Sequence, residues 1–309
     1  MTNGDRRIAA IATGQLGAFT RMQATHAGLS DRQLRSRVQS GTLIQTGPNA
    51  FRVAGTPSTR ESDLRALVLD VGPPVWVAGP TAAALHGYDG YQLRRPFHLL
   101  MPDSRNVRRT GAVIHRSASI DLIDRATNRG FPVTSGVRTV IDLARTASPD
   151  ELAVLIENVL LLGLSNEDLL YRRIGKLRQR GRFGMPALLE ALDRRAVLGG
   201  TESWLEREYL RLLDQAGIMR PLTQQVLTRA GDRTVRVDCR FPGTDVVVEL
   251  LGYQYHRSRD QMNRDTARLN ALVADGFAPY QFTYDQVVNR PDGVIAETYA
   301  ALLRSFEAA

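Results

Sequence analysis

Asp238 and Glu249 are the residues whose positions most invite chemistry. Residues 234–241 alternate, with Val235, Val237, Cys239 and Phe241 on one face and Arg236, Asp238 and Arg240 on the other. That is the period of a strand with one apolar side. After the turn residues Phe241-Pro242-Gly243-Thr244 comes 245–251, a near-continuous apolar run of the kind that is buried on both faces. Glu249 lies at its end, where a carboxylate costs several kcal/mol unless it is paired or ligates a metal. The two acids are eleven positions apart and fall at corresponding ends of adjacent strands. Together they would chelate a divalent cation, which binds a scissile phosphate and lowers the pKa of the attacking water. Mg²⁺ suits such oxygen ligands, and the Leu250 carbonyl would add another. Two other readings stay open: Asp238 facing solvent on an edge strand, and Glu249 in an ion pair with Arg236 or Arg240.

The elements that must hold this pair are legible around it. A helix over 201–215 carries Trp204, Leu205, Tyr209, Leu212 and Leu213 on one stripe, the helical apolar period. Glu206 on that helix is either a third acid of the site or the partner of Ser203 in a capping box. Strands are expected at 225–229 and 234–240. Two acids at corresponding ends of adjacent strands, as Asp238 and Glu249 are expected to be, resemble the core of the PD-(D/E)xK nuclease site. The position that would carry that motif's charge-stabilising lysine is Leu251, which cannot supply a charge.

The front of the chain points elsewhere. Ile8, Ile11 and Ala12 recur at helical spacing, Thr20 caps a short helix, and Ser30-Asp31-Arg32-Gln33 opens another as a capping box. Strands 43–45 and 50–53 flank a Gly47-Pro48-Asn49 turn. Helices followed by a hairpin are the order of a winged helix-turn-helix, whose second paired helix enters the major groove. That helix carries Arg32, Gln33, Arg35, Ser36 and Arg37, and Arg and Gln read guanine and adenine edges. A solvated charged face is the alternative. Residues 60–198 form a loop-rich α/β segment after a 56–59 linker. His86, His98 and His115 show no metal-ligand spacing and are expected to pack or face solvent. Arg105, Arg108, Arg109 and Arg116 make either a solvated edge or further phosphate contacts.

Composition agrees with a nucleic-acid partner. The net charge is +8, and of the 40 basic residues only Lys176 is not arginine; guanidinium forks match phosphate oxygens, although a GC-rich coding bias gives the same excess. Residues 1–57 hold seven arginines against Asp5 and Asp31, so the positive field belongs to the front. No run of about 18 apolar residues is present, which argues against a membrane span. Cys239 is the only cysteine, excluding intrachain disulfides and all-cysteine zinc sites. With no secretory h-region near the start, a cytoplasmic location is expected.

Two resemblances sharpen these expectations. Gly17-Ala18-Phe19-Thr20-Arg21, Gly28-Leu29-Ser30, Gly41-Thr42-Leu43, Thr81-Ala82-Ala83-Ala84-Leu85-His86-Gly87 and Pro132-Val133-Thr134-Ser135-Gly136-Val137-Arg138-Thr139 resemble the AbiEi-type antitoxins of type IV toxin–antitoxin systems over about residues 5–195. The resemblance implies a winged helix on operator DNA and a domain that counters a nucleotidyltransferase toxin. Ser203-Trp204-Leu205-Glu206, Val237-Asp238, residues 248–256 and Arg264-Asp265 with Arg268 resemble uncharacterised domains related to the very-short-patch mismatch-repair endonucleases. That resemblance implies roles for His256 as general base or metal-water partner and for Glu206 as the helix acid. The family's Glu-x-Asp-Gly is Glu249-Leu250-Leu251-Gly252 here, so either His256 and Gln254 carry the missing function or the domain keeps the fold and has lost the chemistry.

The expected architecture is thus an α+β or α/β multidomain chain: a winged helix-turn-helix at 1–57, an antitoxin-like α/β domain at 58–198 and a PD-(D/E)xK-type αβ domain at 199–309. Two functions stay open, a Mg²⁺-dependent DNA endonuclease and a non-catalytic regulator or antitoxin bound to operator DNA.

Overall fold

The computed structural model describes residues 3–177, 184–198, 204–230, 233–251 and 259–308. They form a mixed α/β protein with three sheets, divided into two compact units. The first unit comprises residues 1–143 with 161–164, and the second 144–160 with 165–309. The boundary expected at 198/199 therefore falls inside the second unit.

In the first unit, α1 (Asn3–Thr13), β1 (Ala18–Thr20), α2 (Arg21–His26), α3 (Asp31–Gln39), β2 (Leu43–Gln45) and β3 (Ala50–Val53) follow in order. The strands form an antiparallel sheet of order β1-β3-β2. Capping boxes start both α2 and α3, Thr20 with Gln23 and Ser30 with Gln33, each satisfying orphan N–H groups of the first turn. Ile8, Phe19, Ala24, Leu29, Leu34, Leu43 and Phe51 make one apolar core beneath the helices. Burying such side chains stabilises by about 1.5–3 kcal/mol each before entropy is counted.

The same unit continues through α4 (Arg60–Val71), β4 (Trp76–Val77), α5 (Gly79–His86), β5 (Phe97–Pro102), β6 (Ala112–Ser117), β7 (Arg125–Asn128), β8 (Phe131–Thr134) and α6 (Gly136–Leu143). Its five-stranded mixed sheet has the order β6-β5-β4-β8-β7. Leu64, Val77, Phe97, Leu99, Met101, Phe131 and Val133 fill the space beside it. Arg138 is almost wholly buried. Its guanidinium ion-pairs with buried Asp124 at 2.9 Å and with Asp142, and it donates to the Ser119 carbonyl and the Ser117 hydroxyl.

The second unit contains α7 (Pro149–Leu161), α8 (Glu167–Leu177), α9 (Met185–Leu198), α10 (Trp204–Ala216), β9 (Leu222–Ala230), β10 (Arg233–Arg240), β11 (Val246–Leu251), α11 (Arg259–Ala274), β12 (Ala278–Thr283), α12 (Tyr284–Asn289) and α13 (Pro291–Ala308). Its sheet runs β12-β11-β10-β9. β9, β10 and β11 are successive antiparallel neighbours, and β12 joins β11 in parallel. Parallel pairing needs a crossover, and α11 provides it. The helices preceding this sheet belong with it for a physical reason. The Tyr171 ring of α8 stacks on the Trp204 ring of α10 at 4.5 Å, and the Tyr284 hydroxyl of α12 donates to the Tyr171 carbonyl. At Gly175 a Cβ would lie 2.4 Å from Val288, so α8 and α12 meet too closely for a side chain there. Buried Glu208 on α10 is held between Arg172 and Arg211.

Candidate functional site

The front helix α3 is anchored by buried Leu34 and by Val38 packed on the same core, which turns Arg32, Gln33, Arg35 and Ser36 to solvent. These residues are not equally available. Gln33 Oε1 accepts the Ser30 N–H at 2.8 Å, so its amide is engaged in the cap. Arg37 is only partly exposed; it ion-pairs with Asp5 of α1 at 2.7 Å and donates to the Gln33 carbonyl. The sequence expectation treats all five alike, but Gln33 and Arg37 hold the helix in place. Arg32 and Arg35, among the described residues, enter no ion pair or side-chain hydrogen bond. Three positions apart, they lie on one helical face.

The middle arginines separate in the same way. Arg105 donates to the carbonyls of Val71, Gly72 and Pro74, satisfying the end of α4. Arg109 pairs with buried Asp70. Both are structural, whereas Arg108 and Arg116 are exposed. His86 is buried; Nε2 donates to the Thr134 carbonyl at 2.8 Å and Nδ1 accepts from Asn128 at 3.2 Å. Burial holds its pKa below the ordinary imidazole value, against the opposing effect of the Thr134 carbonyl. His98 and His115, far apart in sequence, meet with Nδ1 and Nε2 3.0 Å apart. Burial, and then the charge of His115, lowers the pKa of His98.

In the second unit the acidic pair comes together. Cys239 pairs with Val248 and Arg240 with Val247, so one step along this register sets Asp238 opposite Glu249. Directly opposed residues point to the same face of a sheet. On β10 the expected alternation holds, with Val235, Val237 and Cys239 buried and Arg236 exposed. Asp238 Oδ2 accepts the Leu250 N–H at 2.8 Å, and the Gln224 amide approaches Oδ1 at 3.4 Å. Buried Glu249 faces the Arg268 guanidinium at 2.8 Å and accepts from Gln281 at 3.2 Å. Arg268 also donates to the Arg236 carbonyl, while the Arg240 guanidinium lies 5.6 Å over the Phe277 ring. The counter-charge of Glu249 thus comes from α11, and neither strand arginine supplies it. Leu251 is half-buried at the strand end, and Glu206 is buried on α10. Gln254 and His256 lie outside the described residues.

Arg268, Gln281 and Gln224 were not singled out for these contacts by sequence reasoning. Gln281 is the register partner of Glu249 across the parallel β11–β12 pair, a pairing that the residues alone did not give. Arg268 belongs to a quoted motif, but nothing local ties it to a residue 19 positions earlier. As it stands, the acidic pair does not fit Mg²⁺. A divalent ion needs open oxygens, yet Glu249 is neutralised by a guanidinium and Asp238 is occupied by N–H donors. Among the described residues, no group of three or more His, Cys, Asp and Glu gathers as a metal set. No described helix is long and apolar enough to cross a membrane.

No family model and no curated protein matches the chain. Among solved structures, the crystal structure of the RV2827C protein from Mycobacterium tuberculosis is similar over 75% of this chain and 88% of that one, with 16% identity and a TM-score of 0.45. That degree of likeness extends to neither fold detail nor activity.

Proposed function

We propose that this chain is a DNA-binding regulator: a winged helix-turn-helix at the front reads duplex DNA, and a nuclease-type unit at the back does not cut. The observation that carries this reading is the pair Arg32 and Arg35, exposed and uncommitted on a capped, core-anchored helix. The neighbouring Asp31, Gln33 and Arg37 side chains on that helix are tied up in structure. Free arginines on one face of such a helix suit guanine edges and phosphates, with the β2–β3 hairpin lying on the backbone. The order helix, three-strand meander, helix, parallel strand in the second unit supports a PD-(D/E)xK-type fold for it. The Arg268–Glu249 ion pair and the apolar Leu251 argue that its chemistry is lost. Within this reading the chain acts as an antitoxin-type regulator, with a nucleotidyltransferase toxin as its protein partner.

Selection from a random duplex pool tests the proposal. The parent protein should enrich a defined sequence, and Arg32→Ala/Arg35→Ala should enrich none while unfolding at the parent temperature. Equal enrichment by both proteins would remove α3 from the interface.

One observation favours a second reading, that of a metal-dependent DNA endonuclease. It is the register that sets Asp238 opposite Glu249 on one face of the sheet. In that reading Asp238, Glu249 and the Leu250 carbonyl would hold a Mg²⁺ ion in place of the Arg268 ion pair. When bound, the ion would supply Lewis-acid activation of water at the phosphate. The two readings part on whether DNA is cut.

A further inference from the structure

Hairpins of three- and four-residue strands are marginal on their own, and a hairpin that lies on a DNA backbone must be held. The tip of the β2–β3 hairpin, residues 46–49, meets the side chain of Asp70 in the last turn of α4. Asp70 is 3% exposed, and its Oδ1 accepts the backbone N–H of Asn49 at 2.5 Å. The Asn49 side-chain amide reaches the Asp70 carbonyl at 3.4 Å. At Gly47 a Cβ would stand 2.4 Å from the Asp70 carboxyl carbon and 2.5 Å from both oxygens. The φ of Gly47 is not in the left-handed region, so it is space, and not backbone conformation, that requires glycine there. The second carboxyl oxygen takes the Arg109 guanidinium. Arg105 from the same loop secures the carbonyls at the end of α4, fixing the helix turn that carries Asp70.

A buried carboxylate is costly unless paired and hydrogen-bonded, and this one spends its oxygens on a turn N–H and one guanidinium. An apolar residue would pack the same space without needing Arg109. We infer that Asp70 is the positioning residue of the hairpin: it sets the tip against α4 before DNA arrives, so that backbone contact is preorganised. Preorganised loops lose less entropy on binding. The inference rests on the DNA-binding reading above and adds to it a residue that touches no DNA. Arg109, which resembles a phosphate contact in sequence, serves instead as the counter-ion of Asp70.

Salt-dependent binding of duplex DNA by the full chain tests this, with amide exchange at Asn49 as a second readout. Asp70→Ala should bind roughly tenfold more weakly, with a salt slope smaller by about one phosphate, and should keep the parent's selected sequence because α3 is untouched. Asp70→Asn retains an acceptor for the Asn49 N–H and should bind within about threefold of the parent, the rescue that a general loss of stability would not give. Should Asp70→Ala fold poorly, Gly47→Ala takes its place. It should weaken binding in the parent background, and Asp70→Ser should relieve part of that loss by making room for the methyl group. Parent-like affinity and slope in both Asp70→Ala and Gly47→Ala would overturn the inference. So would equal damage from Asp70→Asn and Asp70→Ala. A parent that binds no duplex at any salt concentration defeats the DNA-binding reading itself, a different result from these.

Discussion

Arg138 shows how a charge ends up inside this protein. A buried guanidinium has five donors that need acceptors, and Asp124, Asp142, Ser117 and Ser119 take four hydrogen bonds from it. Arg138→Ala should lower stability by about 3–5 kcal/mol, because it removes the cation that a buried carboxylate faces. Asp142→Ala, at a partly exposed partner, should cost no more than about 1 kcal/mol; urea unfolding of both variants measures the difference. The histidines give a second test at this scale. His86 and His98 have folded pKa values below the ordinary 6.5, so the unfolded chain binds protons first as the pH falls. Their contribution to stability is complete above about 6.5 and is lost as pH falls through their folded values. The thermal midpoint should therefore drop between about pH 7.5 and pH 5.5, and by less in His98→Gln. An unchanged drop in that variant would remove His98 from the account. None of this was readable from the residues alone. His98 and His115 show no metal or helical spacing, and it is β5 pairing in parallel with β6 that brings them together.

At the scale of elements, legibility followed local chemistry. α4 begins at Arg60, after the Thr59 cap, and ends at Val71, before Gly72 at φ +70, both local signals. The alternation on β10 and the apolar run of β11 gave both strands and the shared face of Asp238 and Glu249. β1, at three residues, is too short for a periodic signal. The β7–β8 hairpin was missed although Arg129 and Gly130 both have positive φ, as a two-residue turn requires; Pro132 masked the strand that follows. The contacts that decide chemistry were hardest to read, because Arg268 reaches Glu249 across a helix–strand crossover and Asp70 reaches the hairpin from another element. The β10–β11 pair carries its own prediction. With Mg²⁺ or Mn²⁺ present, the parent should leave duplex and single-stranded DNA intact, and Arg268→Ala should not restore cutting. Cleavage that vanishes in Asp238→Asn and Glu249→Gln would establish the endonuclease reading instead.

Over the whole molecule, charge and structure divide the labour. The first unit holds the arginine-rich front, and there the charges split between those that lock elements together and those left facing solvent. In the second unit, Glu208 and Glu249 are buried against guanidinium donors. The account stands or falls on α3 meeting duplex DNA through Arg32 and Arg35. The most direct measurement is the dependence of duplex affinity on salt concentration for the parent and for Arg32→Ala/Arg35→Ala. The account predicts a steep loss of parent affinity with rising salt, and a slope shallower by about two phosphates in the variant. Identical slopes and affinities for the two proteins would contradict it.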